Sequence, residues 1–208
     1  MLDTAGGVPQ FLGQMQNLSQ LNLSYNYFTQ PFPANLNSIS LAQLDVSNNQ
    51  IPGPFPVNLV VAVQPISNLY YVDFSNNKLT GSIPDEVSTW PGLNYLHLGG
   101  NALTGSIPQH LGGAQFLGDL DLSRNKLTGH IPASLGALQS LYNLDLSHNF
   151  LTGGIPSNFS ALVDVNEMQL AYNNLSGPIP NGNAWSSLPV SSFRPGNKGL
   201  CGAPLPAC

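Results

Sequence analysis

The residue types that hydrolytic chemistry needs recur at one spacing in the middle of the chain. Asp73 precedes His97 and Asp121 follows it at the same interval along the chain, and a serine, Ser75 or Ser123, comes two positions after each aspartate. A histidine oriented by a carboxylate can take the proton of a serine hydroxyl and so activate a nucleophile. That chemistry also requires donors for an oxyanion and a dry pocket, and an exposed flat sheet provides neither. We therefore predict that the protein is not an enzyme.

Carboxylates and histidines also bind metals, but their arrangement here does not favour a metal site. Asp45, Asp73, Asp121 and Asp145 are widely separated along the chain, and no loop brings several oxygen ligands together. The four histidines form no HExxH or similar cluster. We predict no bound metal and no cofactor.

Two cysteines, Cys201 and Cys208, both lie in the last eight residues. Such a pair could form a disulfide or contribute half of a metal site. Because the chain has no other cysteine and its histidines are scattered, the disulfide is favoured, and with it an oxidising compartment.

An internal repeat accounts for the spacing of these residues. The segment LDLSRNKLTGHIP, which begins at Leu120, returns in nearly the same form as LDLSHNFLTGGIP from Leu144. Apolar residues precede one asparagine of each repeat by eight, five and three positions, which is the LxxLxLxxN pattern of a leucine-rich repeat. The asparagines are Asn26, Asn49, Asn77, Asn101, Asn125, Asn149 and Asn173.

This pattern predicts an α/β solenoid: a right-handed leucine-rich-repeat superhelix with a parallel concave β-sheet, about seven full repeats and a half repeat at the N-terminus. The leucines fill the interior, and neighbouring strands pair about 4.8 Å apart. Each tight bend after a strand buries backbone N–H and C=O groups. A buried asparagine can both donate to and accept from such groups, so we expect the seven asparagines to form a ladder.

Composition excludes two classes of partner. Only 7% of the residues are charged, the net charge is −5, and Lys and Arg together number five, so no basic surface can neutralise nucleic acid. The chain contains no run of about 18 apolar residues, and we predict no membrane span in it.

The segment LTGxIP is more specific than the leucine pattern. It occurs at Leu79, Leu103, Leu127 and Leu151, followed by LSGPIP at Leu175 and by a tail, GNKGLCGAPLPAC. The chain resembles the plant-type extracellular leucine-rich repeats of receptor-like kinases, receptor-like proteins and polygalacturonase inhibitors. This resemblance implies the apoplast or the outer face of the plasma membrane. It also implies recognition of a protein, peptide or glycan on the concave face, and contact with a co-receptor on the C-terminal flank.

The resemblance also suggests how the chain is divided. We expect a partial repeat without its strand in residues 1–16, leucine-rich repeats in 17–180, and a disulfide-closed cap in 181–208. Four extra residues in VVAVQP, residues 60–65, predict a bulge on the convex side. The N-terminal cap, transmembrane helix and kinase of the family are absent, so we expect the chain to be part of a longer receptor.

The variable positions of the concave strands are the candidates for ligand contact. Tyrosine and arginine are favoured anchors at interfaces, and a rigid sheet presents them at low entropic cost. The predicted contact residues are Tyr70, Tyr71, Tyr95, His97, Asp121, Arg124, Tyr142 and His148.

Three further features leave alternatives open. Sequons at Asn17, Asn22, Asn158 and Asn174 are candidate glycosylation sites, of which Asn158 on the convex side is favoured.

The inhibitors of cell-wall-degrading enzymes in the family make a secreted inhibitor the main alternative function. A column of threonines, one in each LTG segment, makes ice binding a minor alternative, beside a purely structural role.

Overall fold

A computed structural model describes residues 6–38, 41–59, 69–182, 185 and 187–208. The described chain is a solenoid in which each regular coil contains one strand of a first sheet, one strand of a second sheet and one 3-10 helix. The first sheet, called here the concave sheet, consists of β1 Gln20–Asn22, β2 Gln43–Asp45, β4 Tyr71–Asp73, β6 Tyr95–His97, β8 Asp119–Asp121, β10 Asn143–Asp145 and β12 Glu167–Gln169.

The second sheet, called here the flank sheet, is also parallel. Its strands are β3 Pro52–Pro54, β5 Lys78–Gly81, β7 Ala102–Ser106, β9 Lys126–His130, β11 Phe150–Gly153, β13 Asn174–Pro178 and β14 Gly199–Cys201. The 3-10 helices are η1 Gln10–Gln14, η2 Ala34–Ser38, η3 Val57–Leu59, η4 Asp85–Thr89, η5 Gln109–Gly113, η6 Ala133–Ala137, η7 Ser157–Ala161 and η8 Val190–Ser192.

The leucine-rich solenoid predicted from the sequence is confirmed, with two differences. The LTGxIP segments form a second parallel sheet, whereas the sequence predicted only the concave one. The convex segments that carry helix are short 3-10 helices, so the helical half of the α/β prediction consists of 3-10 turns. Proline directly precedes several of them, as Pro132 precedes η6, because its fixed φ suits the start of a helix and its missing N–H is not needed there.

The two sheets differ in register. In the concave sheet, equivalent residues of neighbouring coils stand opposite each other, so that Asp73 pairs with His97 and His97 with Asp121. The middle residue of each concave strand points inward, and Leu96 and Leu120 are fully buried. In the flank sheet from β5 to β13 the pairing is displaced by two residues per strand, so Thr104 stands opposite Lys126 rather than Thr128.

The ladder asparagines connect consecutive coils. Asn125 Nδ2 donates to the carbonyl oxygens of Leu122 and Ser123 in its own coil, at 3.2 and 3.0 Å, and of Leu98 in the preceding coil, at 2.9 Å. Its Oδ1 accepts the amide of Leu103, again in the preceding coil, at 2.9 Å. The same set of contacts is made by Asn49, Asn77, Asn101, Asn149 and Asn173.

Asn26, the first asparagine of the predicted ladder, bonds among the described residues only to carbonyls of its own coil, those of Leu23 and Ser24, both at 3.0 Å.

After the six asparagines that join two coils, Asn197 continues the ladder into the C-terminal segment. Asn197 lies as far beyond Asn173 as Asn173 lies beyond Asn149. Its Nδ2 donates to the carbonyls of Leu170 at 2.8 Å and Phe193 at 2.9 Å, and its Oδ1 accepts the Leu175 amide at 2.8 Å. The C-terminal segment therefore closes the last coil by reproducing the contacts of a further repeat.

The same segment contains the disulfide. Cys201 at the end of β14 is bonded to Cys208, and β14 extends the flank sheet by pairing with β13. The Arg194 guanidinium donates to the carbonyl oxygens of Gly196 at 3.3 Å and Leu200 at 3.1 Å, which holds the loop before β14. The predicted bulge in residues 60–65 lies outside the described residues. Within the described ranges, no helix has the length and apolar character of a membrane span.

Candidate ligand-binding face

The aspartates that end the concave strands have a structural role. One carboxylate oxygen accepts the backbone amide two residues later, as Asp73 Oδ1 does from Ser75 at 2.8 Å and Asp145 Oδ1 from Ser147 at 2.8 Å. Burial raises the pKa of both carboxyls above their usual range. Asn22 makes the same contact with the Ser24 amide at 3.0 Å, so the turn needs an oxygen rather than a charge.

A cluster of aromatic rings occupies the middle of the concave sheet. Tyr71 and Tyr95 are stacked with centroids 4.1 Å apart, and the imidazole of His97 stacks on Tyr95 at 3.7 Å. The Tyr95 hydroxyl contacts His97 Nδ1 at 2.7 Å, and His97 Nε2 contacts Asp119 Oδ1 at 2.8 Å. Burial raises the pKa of the Tyr71 and Tyr95 hydroxyls, so both remain neutral. We call Tyr71, Tyr95, His97 and Asp119 the tyrosine–histidine cluster.

The partner of His97 differs from the one that its sequence position suggested. Asp73 and Asp121 stand opposite His97 in the neighbouring strands, but the ring reaches diagonally to Asp119, two residues earlier on β8. Both ring nitrogens are therefore engaged by Tyr95 and Asp119 rather than by Ser75 or Ser123. The arrangement of serine, histidine and aspartate that hydrolysis would need is not formed.

A second feature lies where each concave turn ends. The residue before each ladder asparagine has positive φ, a conformation that suits Asn76 and Gly100 but costs other L-residues about 1–2 kcal/mol. Arg124, His148 and Tyr172 nevertheless occupy it in three successive coils, with φ of 51°, 56° and 58°. We call these three residues the left-handed row.

The left-handed row presents a cation beside two stacked rings. The centroids of His148 and Tyr172 are 4.0 Å apart with an interplanar angle of 15°, and Tyr172 is 47% exposed. Arg124 is exposed, and its guanidinium makes no hydrogen bond or ion pair with any described residue. A row that accepts backbone strain to display these side chains is a candidate contact surface.

The remaining predicted contact residues lie between or beside these two features. Tyr70 is 40% exposed, and its hydroxyl accepts a hydrogen bond from Gln43. Tyr142 is 41% exposed and lies against Gly118, where a Cβ would come within 2.6 Å of its ring. Asp121 accepts the Ser123 amide at 2.8 Å.

Two residues outside the predicted set, Asp119 and Tyr172, belong to these features, and a third, Asn197, belongs to the asparagine ladder. Asp119 and Tyr172 stand in the same variable columns as the predicted residues, and their side chains could have been included from the repeat alignment. Asn197 could have been found by extending the regular spacing of the ladder asparagines once more beyond Asn173.

The four sequons differ in how free their amides are. Asn22 Nδ2 donates to Asp45 Oδ2 at 3.1 Å on the concave face, and Asn158 Nδ2 donates to the Ala133 carbonyl at 2.7 Å. All four asparagines are exposed, but the Asn17 and Asn174 side-chain amides make no hydrogen bond to the described residues. We therefore expect Asn17 and Asn174 to be glycosylated more readily than Asn158, the site favoured by sequence.

Metal ligation has no candidate in the part of the chain that the structure describes, because no three His, Cys, Asp or Glu side chains there are grouped to hold an ion.

Comparison with known proteins places this geometry in a family. Residues 91–151 match one family described as leucine rich repeat, and residues 17–39 and 68–90 match a second leucine-rich-repeat description. A search of curated proteins finds no match.

Solved structures give closer comparisons. The Arabidopsis receptor kinase HAESA, in complex with the peptide hormone IDA and the co-receptor SERK1, superposes with a TM-score of 0.84 at 33% identity, over 94% of this chain and 32% of that chain. A chain of the BIR3–SERK2 complex from Arabidopsis thaliana has a TM-score of 0.62 at 36% identity, over 70% of this chain and 77% of that one. A plant ice-binding protein has a TM-score of 0.58 at 28% identity, over 98% of this chain and 79% of that one.

The chain thus spans about a third of the length of the HAESA chain, and it covers three quarters of a shorter relative at 36% identity. The matched repeat segments and these two superpositions agree on one repeat class. The chain belongs to the leucine-rich-repeat family of plant receptor ectodomains.

Proposed function

We propose that this chain is an extracellular recognition module of a plant receptor-like protein or kinase, which binds a peptide or protein through its concave face. The observation that carries the proposal is the left-handed row. Asn or Gly would occupy these positions at lower cost, yet Arg124, His148 and Tyr172 are present there in successive coils. Contact between these three side chains and a ligand would explain why they are present despite the cost of positive φ.

The chemistry of the row favours a ligand with an acidic group. A free guanidinium binds a carboxylate through two parallel hydrogen bonds, and the stacked rings of His148 and Tyr172 provide an apolar surface beside it. Only one arginine is present, so we expect a side-chain carboxylate of a protein or peptide at least as readily as a free C-terminus.

The nature of the relatives supports a role for a co-receptor. HAESA was solved with both a peptide hormone and SERK1, and the BIR3 structure contains SERK2. We therefore propose that a co-receptor ectodomain contacts the C-terminal flank, next to Tyr172, and that the module works in the apoplast or on the outer face of the plasma membrane.

Binding to the SERK1 ectodomain in the presence and absence of a secreted peptide fraction from plant tissue would test the proposal. We expect association that requires the peptide fraction and weakens at least about tenfold in Arg124→Asn, which keeps a residue suited to positive φ. Lys126→Ala is the matched control, because it removes an exposed cation from β9 on the other sheet. No association, or equal loss in both variants, would contradict the proposal. Inhibition of a fungal polygalacturonase instead would favour the inhibitor alternative.

Ice binding has one observation in its favour, the similarity to a plant ice-binding protein. Exposed threonines Thr80, Thr104 and Thr128 do follow the flank sheet. The two-residue displacement of its pairing, however, separates consecutive threonines by about 8 Å instead of the strand spacing of about 4.8 Å. An ice-recrystallisation assay of the wild-type chain separates this candidate from receptor function.

A further inference from the structure

We propose a binding site for a neutral saccharide in a notch at the other end of the concave sheet. The notch lies across β1, β2 and β4 and has a volume of about 340 Å³, at the lower end of the range for ligand pockets. It is lined by Gln20, Leu21, Asn22, Gln43, Asp45 and Tyr71. This site is independent of the proposed function, because the left-handed row follows β8, β10 and β12.

One face of an aromatic ring is available to the notch. Tyr95 on β6 covers one face of the Tyr71 ring at a centroid distance of 4.1 Å and an interplanar angle of 10°. The notch lies on the opposite side of Tyr71, toward β2, so the second face of the ring forms its wall. A pyranose ring has an apolar face of C–H groups, and packing it on an aromatic face removes both surfaces from water.

Sugar hydroxyls both donate and accept hydrogen bonds, and the polar groups around this wall offer partners of both kinds. Asn22 Nδ2 uses one hydrogen toward Asp45 Oδ2 at 3.1 Å and keeps a second hydrogen for a ligand. Gln43 donates to the Tyr70 hydroxyl, which leaves its Oε1 as an acceptor. Gln20 is exposed at the rim and carries both a donor and an acceptor.

The side chains of Asn22, Asp45 and Tyr71 are held in place before any ligand binds. Asp45 Oδ1 accepts the Ser47 amide at 2.9 Å, while its Oδ2 accepts from Asn22, so the carboxylate has a fixed orientation. Tyr71 is held by its stack on Tyr95. A site whose side chains are already ordered loses less entropy on binding.

Charge decides which class of sugar fits. The lining contains one carboxylate, Asp45, and no cation. A uronic acid or a sugar phosphate would place a second negative charge beside it, which is unfavourable at short range. The notch therefore selects neutral hexoses or pentoses over acidic ones.

Titration by NMR with cellohexaose, xylohexaose and mannohexaose, and with hexagalacturonic acid as the acidic comparison, tests the site. We expect at least one neutral oligosaccharide to bind with a dissociation constant of about 1 mM or below and to perturb the signals of residues 20–22 and 43–45. Tyr71→Ala should weaken this binding about tenfold, while Tyr142→Ala, which removes an exposed tyrosine outside the notch, should leave it unchanged.

A second variant tests the site independently in case Tyr71→Ala does not fold. Asp45→Asn keeps an oxygen for the Ser47 amide, as Asn22 does for Ser24, and removes the charge. It should fold normally and reduce the discrimination against hexagalacturonic acid. Arg124→Asn should bind the sugar as wild type does. A negative result for the saccharide site can therefore be distinguished from a negative result for the proposed function.

Four outcomes would overturn the saccharide site: no neutral oligosaccharide with a dissociation constant of about 1 mM or below, binding unaffected by Tyr71→Ala, a preference of the wild type for hexagalacturonic acid, or perturbation of residues 20–22 by a peptide ligand but by no sugar. Glycan attached at Asn22, measured by mass spectrometry of the secreted protein, would also overturn it, because that glycan would fill the notch.

Discussion

Asn125→Ala removes the four hydrogen bonds by which one ladder asparagine joins two coils. The energetic cost of the substitution depends on which of the four partner groups keep another hydrogen bond. The Leu103 amide loses its acceptor and stays buried in a coil where water cannot replace it. Each of the three carbonyls keeps a second donor: Leu98 from Asn101, Leu122 from Asn149, and Ser123 from the Gly100 amide.

The cost therefore comes mainly from one orphaned amide, at about 1–3 kcal/mol, with a smaller contribution from the three weakened carbonyls. We expect the free energy of unfolding to fall by about 2–4 kcal/mol and the melting temperature by about 5–15 °C. Because a repeat array need not unfold in one step, the local measurement is hydrogen exchange at the Leu103 amide, which should lose its protection before its neighbours do.

Asn174→Ala is the matched control, since this asparagine is exposed and its side chain makes no hydrogen bond to the described residues. It should change stability by less than about 0.5 kcal/mol. Equal effects of Asn125→Ala and Asn174→Ala, or continued protection of the Leu103 amide, would show that the ladder asparagine does not stabilise the buried amide.

Three other changes have expected outcomes. Arg124→Asn should raise the melting temperature by a few degrees, because asparagine tolerates a φ of 51° better than arginine does; a lower melting temperature would show that the backbone there is not strained. Asp73→Asn should be more stable than wild type at pH 7, because Asn can still accept the Ser75 amide and carries no buried charge. A raised folded-state pKa means that wild type gains stability as pH falls, so the advantage of Asp73→Asn in thermal melts should vanish below about pH 4; an advantage that persists there would contradict this origin. Cys208→Ser opens a loop with a sequence separation of 7 and should destabilise the C-terminal segment by about 2 kcal/mol, seen as faster hydrogen exchange at β14 and unchanged exchange at β6.

The concave sheet was predictable because its strands repeat one pattern of buried leucines and one asparagine. The flank sheet was not predicted, because the few residues of each LTG segment, such as Leu127, Thr128 and Gly129, have no strand pattern of their own. In the structure Leu127 is buried, Thr128 is exposed and Gly129 has a φ of 78° within β9, so a strand and a left-handed glycine occur together. Periodicity over so few residues is too short to distinguish a strand from a bend.

Contacts between side chains were harder to predict than the positions of the strands. The sequence places His97 opposite Asp73 and Asp121, and the register agrees. The bond to Asp119 depends on the stacking of the imidazole on Tyr95, which directs Nε2 along a diagonal of the sheet. The hydrogen-bond partner of His97 depends on side-chain rotamers in neighbouring strands and cannot be inferred from an alignment of the repeats. Whether the predicted contact residues bind a ligand stays a prediction.

The asparagine ladder also relates folding to the direction of protein synthesis. In each pair of coils the amide belongs to the earlier coil and its acceptor to the later one, as Leu103 is held by Asn125 and Leu175 by Asn197. A ribosome releases the N-terminal coils first, at about 5–20 residues per second. The amide of each coil therefore stays without its acceptor for a few seconds, until the asparagine of the next coil has been synthesised, and the Leu175 amide has to wait for Asn197. Nascent chains stalled before Asn197 should expose the Leu175 amide and present an unfinished surface to chaperones.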